Sequence, residues 1–134
     1  EEILLLASGY ANIVVGNEIE FDFMSKTNSD GKNLAGQLSS SGGKISIYKM
    51  GSKGLYYFCD GKEKFVDSFQ VKAIKPTGAG DGFLAGFCAS KMNGMSLEES
   101  ILYGSATGAI VVTKVGCSEA MPDKVQLEEF LNII

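Results

Sequence analysis

The residues best equipped for chemistry lie in one short run, Lys75 to Gly82, which reads KPTGAGDG. Three glycines and a carboxylate separate an apolar stretch ending at Ile74 from another beginning at Phe83. A strand, a glycine-rich loop and a helix in succession aim backbone N–H groups at an anion. Glycine lets the backbone come close to a ligand, and the helix N-terminus adds about half a positive charge. Asp81 beside such a hole would repel a phosphate if it served structure alone. As a general base it is well placed to take a proton from a hydroxyl attacking in line. A plainer reading stands beside this one. Glycine turns join strands to helices in many folds, and an aspartate in a first helical turn complements the helix dipole. The run is neither GxxxxGK[ST], since Phe83 and not lysine follows the last glycine, nor GxGxxG with an acid about 20 residues on.

Positioning these residues calls for alternating strands and helices. NIVVG (12–16) is β-branched, apolar and closed by glycine, so it reads as a buried strand. Residues 3–10 fit either a short helix or a buried strand. Residues 17–26 read as a helix, with Ile19, Phe23 and Met24 near one face and acids in the first turn. A loop is expected over 27–31 and a weak second helix over 32–40. Alternation predicts a strand over 44–50, a turn at Gly51–Gly54, and a second strand over 54–60. Asp60-Gly61 is a hairpin pair, and residues 63–69 and 70–74 extend the β run. The last third is helical. One helix ends at Asn93-Gly94, a second opens on the Ser96–Glu99 capping box and runs to about Thr113, and a third covers 123–134. The pattern implies an α/β fold with a mixed, mainly parallel sheet.

The chain has 134 residues, about one domain's worth, and 45% of them are hydrophobic, enough for a core. A net charge of -4 without a basic cluster argues against nucleic acid as the main partner. There is no histidine and no CxxC pair, which removes the usual zinc ligand sets and a histidine triad. Cys59, Cys88 and Cys117 are scattered, so they read as reduced, buried thiols of a cytoplasmic protein. The apolar run at 3–8 is too short for a span of about 20 residues. It follows two glutamates instead of a signal peptide's basic start. No membrane association is expected.

PTGAGDGFLAGF (76–87) resembles the signature of the ribokinase-like, or PfkB, carbohydrate kinase family, whose pattern is Asp-Thr-Thr-Gly-Ala-Gly-Asp-x-Phe. The resemblance implies that Asp81 is the catalytic base and that Gly78, Ala79 and Gly80 form the anion hole. GNEIE (16–20) resembles the family's Asn-x-x-Glu motif, in which Asn17 and Glu20 would organise magnesium and phosphate, mostly through water. Mg²⁺ favours oxygen ligands and keeps several waters. The same pair also reads as a capping box, Asn17 as cap and Glu20 three residues on. KMGSKG (49–54) resembles the nucleotide loop, which implies that Gly51, Ser52 and Gly54 lie near the ATP phosphates and ribose. An ordinary hairpin turn has the same composition. YGSATGAIVVTKVGC (103–117) resembles the helix and loop flanking adenine, with Ser105 and Gly108 as candidates. A helix-packing face of small residues is the competing reading there.

The resemblance implies a three-layer α/β/α, ribokinase-like fold and an ATP- and Mg²⁺-dependent kinase acting on a primary hydroxyl of a small-molecule sugar. It covers residues 1–134 as the C-terminal, ATP-side half only. The sugar-binding half of the family is absent. GNEIEFD, KPTGAGD and CSEAMP are similar to the branch that phosphorylates 5-dehydro-2-deoxygluconate, with 2-keto-3-deoxygluconate and fructose kinases as rivals. Lys75 stands where the family usually has an aspartate that helps hold a potassium ion. Either it substitutes a fixed cation for the bound one, or it points to solvent. A second class of function is a non-catalytic nucleotide-binding module. A truncated sheet would expose an edge and an apolar patch, which favours a homodimer.

Overall fold

The computed structural model of the protein describes residues 2–26, 30–40 and 42–133. Residues 27–29 of the expected loop lie outside the described residues. The chain divides into two compact units, meeting in sequence at Ser68 and Phe69.

The first unit runs through α1 (Glu2–Tyr10), β1 (Ile13–Asn17), α2 (Glu18–Ser25), α3 (Gly31–Leu38), β2 (Ile45–Lys49), β3 (Leu55–Cys59) and β4 (Lys62–Val66). Its sheet has the order β1-β2-β3-β4. β1 runs parallel to β2, with Val14 opposite Ser46 and Asn17 opposite Lys49. The other two pairings are antiparallel. Asp60 and Gly61 both take positive φ, 50° and 71°, as a tight primed hairpin turn demands. The apolar stripe of α2 explains the packing. Phe21 and Met24 are buried with Ala35, Tyr48 and Phe58. The Phe21 and Tyr48 rings meet at 5.6 Å in a tilted pair. Fully burying a side chain such as Phe21 stabilises by about 1.5–3 kcal/mol. Burial also pushes the Tyr48 hydroxyl's pKa up, assisted by the nearby Asp22 and Glu18.

The second unit consists of α4 (Ala79–Met92), α5 (Leu97–Val112) and α6 (Lys124–Ile133) with their connections. α4 and α5 pack closely because both are poor in side-chain volume where they meet. A Cβ on Gly86 would lie 2.8 Å from the Tyr103 carbonyl oxygen, and one on Gly104 would lie 2.8 Å from that of Phe83. α6 seals the other side of α5 through Leu127, buried with Ala106 and Ile110. The Phe69 and Phe130 rings meet edge to face at 5.3 Å.

Four expectations need correction. Residues 70–74 form no strand. The Ile74 and Lys75 N–H groups both donate to the Val112 carbonyl, at 2.7 and 3.3 Å. The segment therefore docks on the end of α5 and has no ladder partner. The sheet is mixed, but one of its three pairings is parallel, so these residues are not mainly parallel. Two tight reversals, at Gly51–Gly54 and at Asp60-Gly61, turn the chain straight back and force antiparallel neighbours. Ile13–Val15 of β1 are only half-buried, Gly16 is buried and Asn17 is exposed, because the strand forms an edge of its sheet. The cysteines are in no disulfide among the described residues, but they are not buried: Cys59 is half-buried, and Cys88 and Cys117 are exposed. Cys88 follows the buried Phe87 onto the outward face of α4, and Cys117 lies in the loop after α5. Among the described residues no helix is long and apolar enough to cross a membrane.

Candidate functional site

The glycine run forms the start of α4. Gly78 is its N-cap, with φ 89° and ψ -6°, a left-handed conformation that glycine adopts without strain. The Gly78 carbonyl accepts the first helical bond, from the Gly82 N–H at 2.8 Å. No side chain caps this end. The N–H groups of Ala79, Gly80 and Asp81 therefore have no helical carbonyl behind them. Asp81 is exposed in the same first turn.

Neighbouring elements hold this turn from behind. Lys75 folds back half-buried, donating from Nζ to the Thr77 carbonyl at 3.1 Å and lying 3.5 Å from the Cys117 Sγ. It does not point freely into solvent. A Cβ on Gly78 would lie 3.2 Å from Val111 Cγ1 and 3.5 Å from Cys117 Sγ. A Cβ on Gly108 would lie 2.9 Å from the Ala79 carbonyl oxygen. Gly108 is thus buried where α5 presses on the first turn of α4, the close-packing arrangement weighed for this helix. Ser105 is half-buried about one turn earlier on α5. This unit brings together Lys75, Gly78, Ala79, Gly80, Asp81, Gly108 and Cys117. Cys117 escaped the sequence reading because scattered cysteines resemble core filler. Its one signal was that the adenine-flanking segment ends on it.

The remaining candidates belong to the first unit. Asn17 ends β1 and caps α2. Its Oδ1 accepts from the Glu20 N–H at 2.9 Å, and the Glu20 Oε2 accepts from the Asn17 N–H at 2.7 Å. Both halves of a capping box are present. Gly51–Lys53 is a single 3₁₀ turn, closed where the Met50 N–H donates to the Gly54 carbonyl at 2.9 Å. It is a hairpin connection between β2 and β3, and Ser52 is exposed on it. Asn17 and Lys49 are register partners. Hence Asn17, Glu20, Gly51, Ser52 and Gly54 gather at the carboxyl ends of the two parallel strands, where open α/β sheets bind ligands.

Two groups implied by the sequence can be tested against these residues. An ATP phosphate fits the uncapped, left-handed turn at Gly78, which presents N–H donors and a helix dipole. Mg²⁺ carried with a nucleotide needs one or two carboxylates beside the phosphates and water, and Glu20 is exposed, with Oε2 held at the Asn17 N–H.

Comparison with known proteins agrees on one class. The sequence profile described as pfkB family carbohydrate kinase matches residues 1–124. The chain is 36% identical over 131 residues to 5-dehydro-2-deoxygluconokinase of Photobacterium profundum, taking in 94% of this chain and 40% of that protein. It is 30% identical over 128 residues to 5-dehydro-2-deoxygluconokinase of Bacillus subtilis, with 94% and 39% covered. Among solved structures, ribokinase from Thermotoga maritima superposes with a TM-score of 0.88 at 30% identity, over 96% of this chain and 44% of that one. A putative ribokinase II from E. coli, in complex with ATP and Mg²⁺, superposes with a TM-score of 0.86 at 27% identity, over 99% and 43%. The chain spans about two fifths of the length of the curated relatives it matches.

Proposed function

Because the chain belongs to the PfkB carbohydrate kinase family and has its ribokinase-like fold, we propose that it is the nucleotide-side, C-terminal portion of an ATP-dependent sugar kinase. Asp81 acts as general base. It takes the proton of a primary hydroxyl, and that oxygen attacks the γ-phosphate in line. The amides of Gly78, Ala79, Gly80 and Asp81 receive the charge that develops on the transferred group. The observation that carries this reading is the uncapped N-terminus of α4 with Asp81 exposed in its first turn.

Gly51, Ser52 and Gly54 serve as nucleotide contacts, supported by their place at the carboxyl ends of β1 and β2. Ser105 is the contact on α5, and Gly108 serves by seating α4. Mg²⁺ bound with ATP neutralises the phosphates. Asn17 and Glu20 would hold it through water, using the oxygen lone pairs that their capping box leaves over. The acceptor is 5-dehydro-2-deoxygluconate or a keto-deoxy sugar acid like it, supported by the named activity of the relatives. Lys75 supplies a fixed cation behind the anion hole, supported by its bond to the Thr77 carbonyl. Exchanging sodium for potassium should then leave the rate unchanged, and a strong potassium requirement would contradict this role. Three cysteines in no disulfide among the described residues fit a cytoplasmic enzyme.

The test is ADP release with Mg-ATP and, in turn, 5-dehydro-2-deoxygluconate, 2-keto-3-deoxygluconate and fructose, with Asp81→Asn as control. Turnover that favours the first acid and collapses in the variant supports the reading. One second reading is a non-catalytic nucleotide-binding module that dimerises through the β1 edge, supported by that strand's place at the end of the sheet. Mg-ADP binding by a folded dimer that turns over none of the three would select it.

A further inference from the structure

Two nucleophiles meet behind the first turn of α4. The Lys75 Nζ lies 3.5 Å from the Cys117 Sγ, across 42 positions of sequence. The lysine is half-buried, and its Nζ also donates to the Thr77 carbonyl at 3.1 Å, which keeps it at the sulfur. The thiol is exposed. It also borders the glycine run, since a Cβ on Gly78 would lie 3.5 Å from Sγ.

Reactive cysteines occupy exposed, electropositive settings, and the thiolate is the form that reacts. Cys117 combines exposure with an amine in contact. Cys59 sits differently: it is half-buried, with Sγ 3.7 Å from the Asp60 carboxylate. Cys88 is exposed on the outward face of α4, so it meets the same solvent as Cys117 and provides an internal comparison.

We propose that Lys75 and Cys117 form a peroxide-sensing modification site, at which oxidation joins Nζ to Sγ as a sulfenamide. Hydrogen peroxide is the co-reactant. The Cys117 thiolate attacks one peroxide oxygen. An S–O bond forms, the O–O bond breaks, and the departing hydroxide takes up the thiol's proton as water. The sulfur has lost two electrons and the peroxide has gained them. Sulfenic acids condense with a neighbouring nitrogen. The Lys75 amine, in its neutral form, attacks the sulfenic sulfur. An S–N bond forms, the S–O bond breaks, and the hydroxyl leaves as water with one amine proton. Added thiol reverses the step: one thiol takes the sulfur as a mixed disulfide and frees the amine, and a second restores Cys117.

The bond changes the electrostatics of the turn. A sulfenamide nitrogen carries no charge at neutral pH, so the fixed cation at Lys75 is lost. Nζ moves from the Thr77 carbonyl to the sulfur. Phosphate binding at the start of α4 weakens with it. This consequence rests on the kinase reading above, whereas the bond itself rests on the Lys75–Cys117 contact.

The test treats the 134-residue chain with dilute hydrogen peroxide. It reads intact mass, a peptide map and Mg-ADP affinity by calorimetry. The expected product is lighter than the reduced chain by two hydrogens. Proteolysis should leave the Lys75 and Cys117 peptides joined, and dithiothreitol should separate them. Lys75→Arg keeps a cation but offers no neutral amine, and Cys117→Ser removes the sulfur. Neither variant should form the bond, whereas Cys88→Ser should form it as the wild type does. The oxidised chain should bind Mg-ADP at least about tenfold more weakly, the effect of roughly one lost charge-assisted contact, and dithiothreitol should restore the affinity. Oxidation that stops at a Cys117 sulfenic or sulfinic acid, a disulfide of Cys117 with another cysteine, or a cross-link that persists in Lys75→Arg would each overturn the site. A Lys75–Cys117 bond that leaves Mg-ADP affinity intact would overturn its regulatory effect. A reduced chain that binds no Mg-ADP would break the kinase reading, and the mass and peptide map would still decide the bond.

Discussion

α4 and α5 begin in the same unit and treat their N-termini in opposite ways. At α5, the Ser96 hydroxyl accepts from the Glu99 N–H at 3.2 Å, and the Glu99 carboxylate accepts from the Ser96 N–H at 2.9 Å. The Ser96 N–H, with help from its hydroxyl, holds the Glu99 carboxyl below its ordinary value of 4.5. At α4 there is a left-handed glycine, no side-chain cap, and an acid in the first turn that accepts no hydrogen bond among the described residues. A helix end satisfied by its own side chains is a structural end. One whose donors face outward, with a carboxylate beside them, is fitted to take an anion and a proton. α2 complicates the contrast. It carries a capping box like that of α5, yet it starts at the carboxyl ends of β1 and β2, where a ligand is expected.

The contrast breaks first if the two acids prove equivalent. Asp81→Asn should lower kcat by about 10²–10⁴ with nucleotide affinity little changed, and Glu99→Gln should leave kcat alone. Steady-state kinetics on both variants decides. The next effect acts from a distance. Gly86→Ala pushes a methyl group into Thr107 and the Tyr103 carbonyl. It should cost about 1–3 kcal/mol of stability and slow turnover by shifting α4 on α5, read from denaturant melts and rates together. Gly78→Ala forces a non-glycine residue to φ 89°, at about 1–2 kcal/mol, and should weaken Mg-ADP binding in a calorimetric titration.

Ser96→Ala should have the smallest effect, about 1 kcal/mol of stability from the lost cap, with kcat and nucleotide binding untouched. The Glu99 half of that cap carries a pH signature. Its folded pKa is lowered, so its stabilisation is present above the unfolded value near 4.5 and disappears as pH falls through the folded value. The gap in melting temperature between wild type and Glu99→Gln should therefore be open at neutral pH and close in acid.

Most of the helices were legible because local chemistry marks their ends. Ser96 with Glu99 started α5, and Asn93-Gly94 ended α4. The Asp60-Gly61 hairpin was legible for the same reason, since only a few residue pairs tolerate two positive φ values. The run at 70–74 was misread because alternation shows that a strand is feasible without showing a partner to pair with. The edge position of β1 was equally hidden. Its apolar run reads as buried, and no local pattern shows whether a strand has neighbours on one side or two. Within the site, GAGD was legible as a turn carrying an acid. That Gly108 packs on Ala79, and that Lys75 and Cys117 support the turn from behind, depends on contacts across 29 to 42 positions of sequence. Such contacts leave no local pattern.

The central claim is that the open end of α4 binds a phosphate and the closed end of α5 does not. The most direct measurement is a titration of the ¹⁵N-labelled chain with Mg-ATP, following the amides of both first turns. Saturable shifts at Ala79, Gly80 and Asp81, with Leu97, Glu98 and Glu99 unmoved, are the predicted result. A folded chain whose α4 amides do not respond, or whose two helix ends respond alike, would contradict the account.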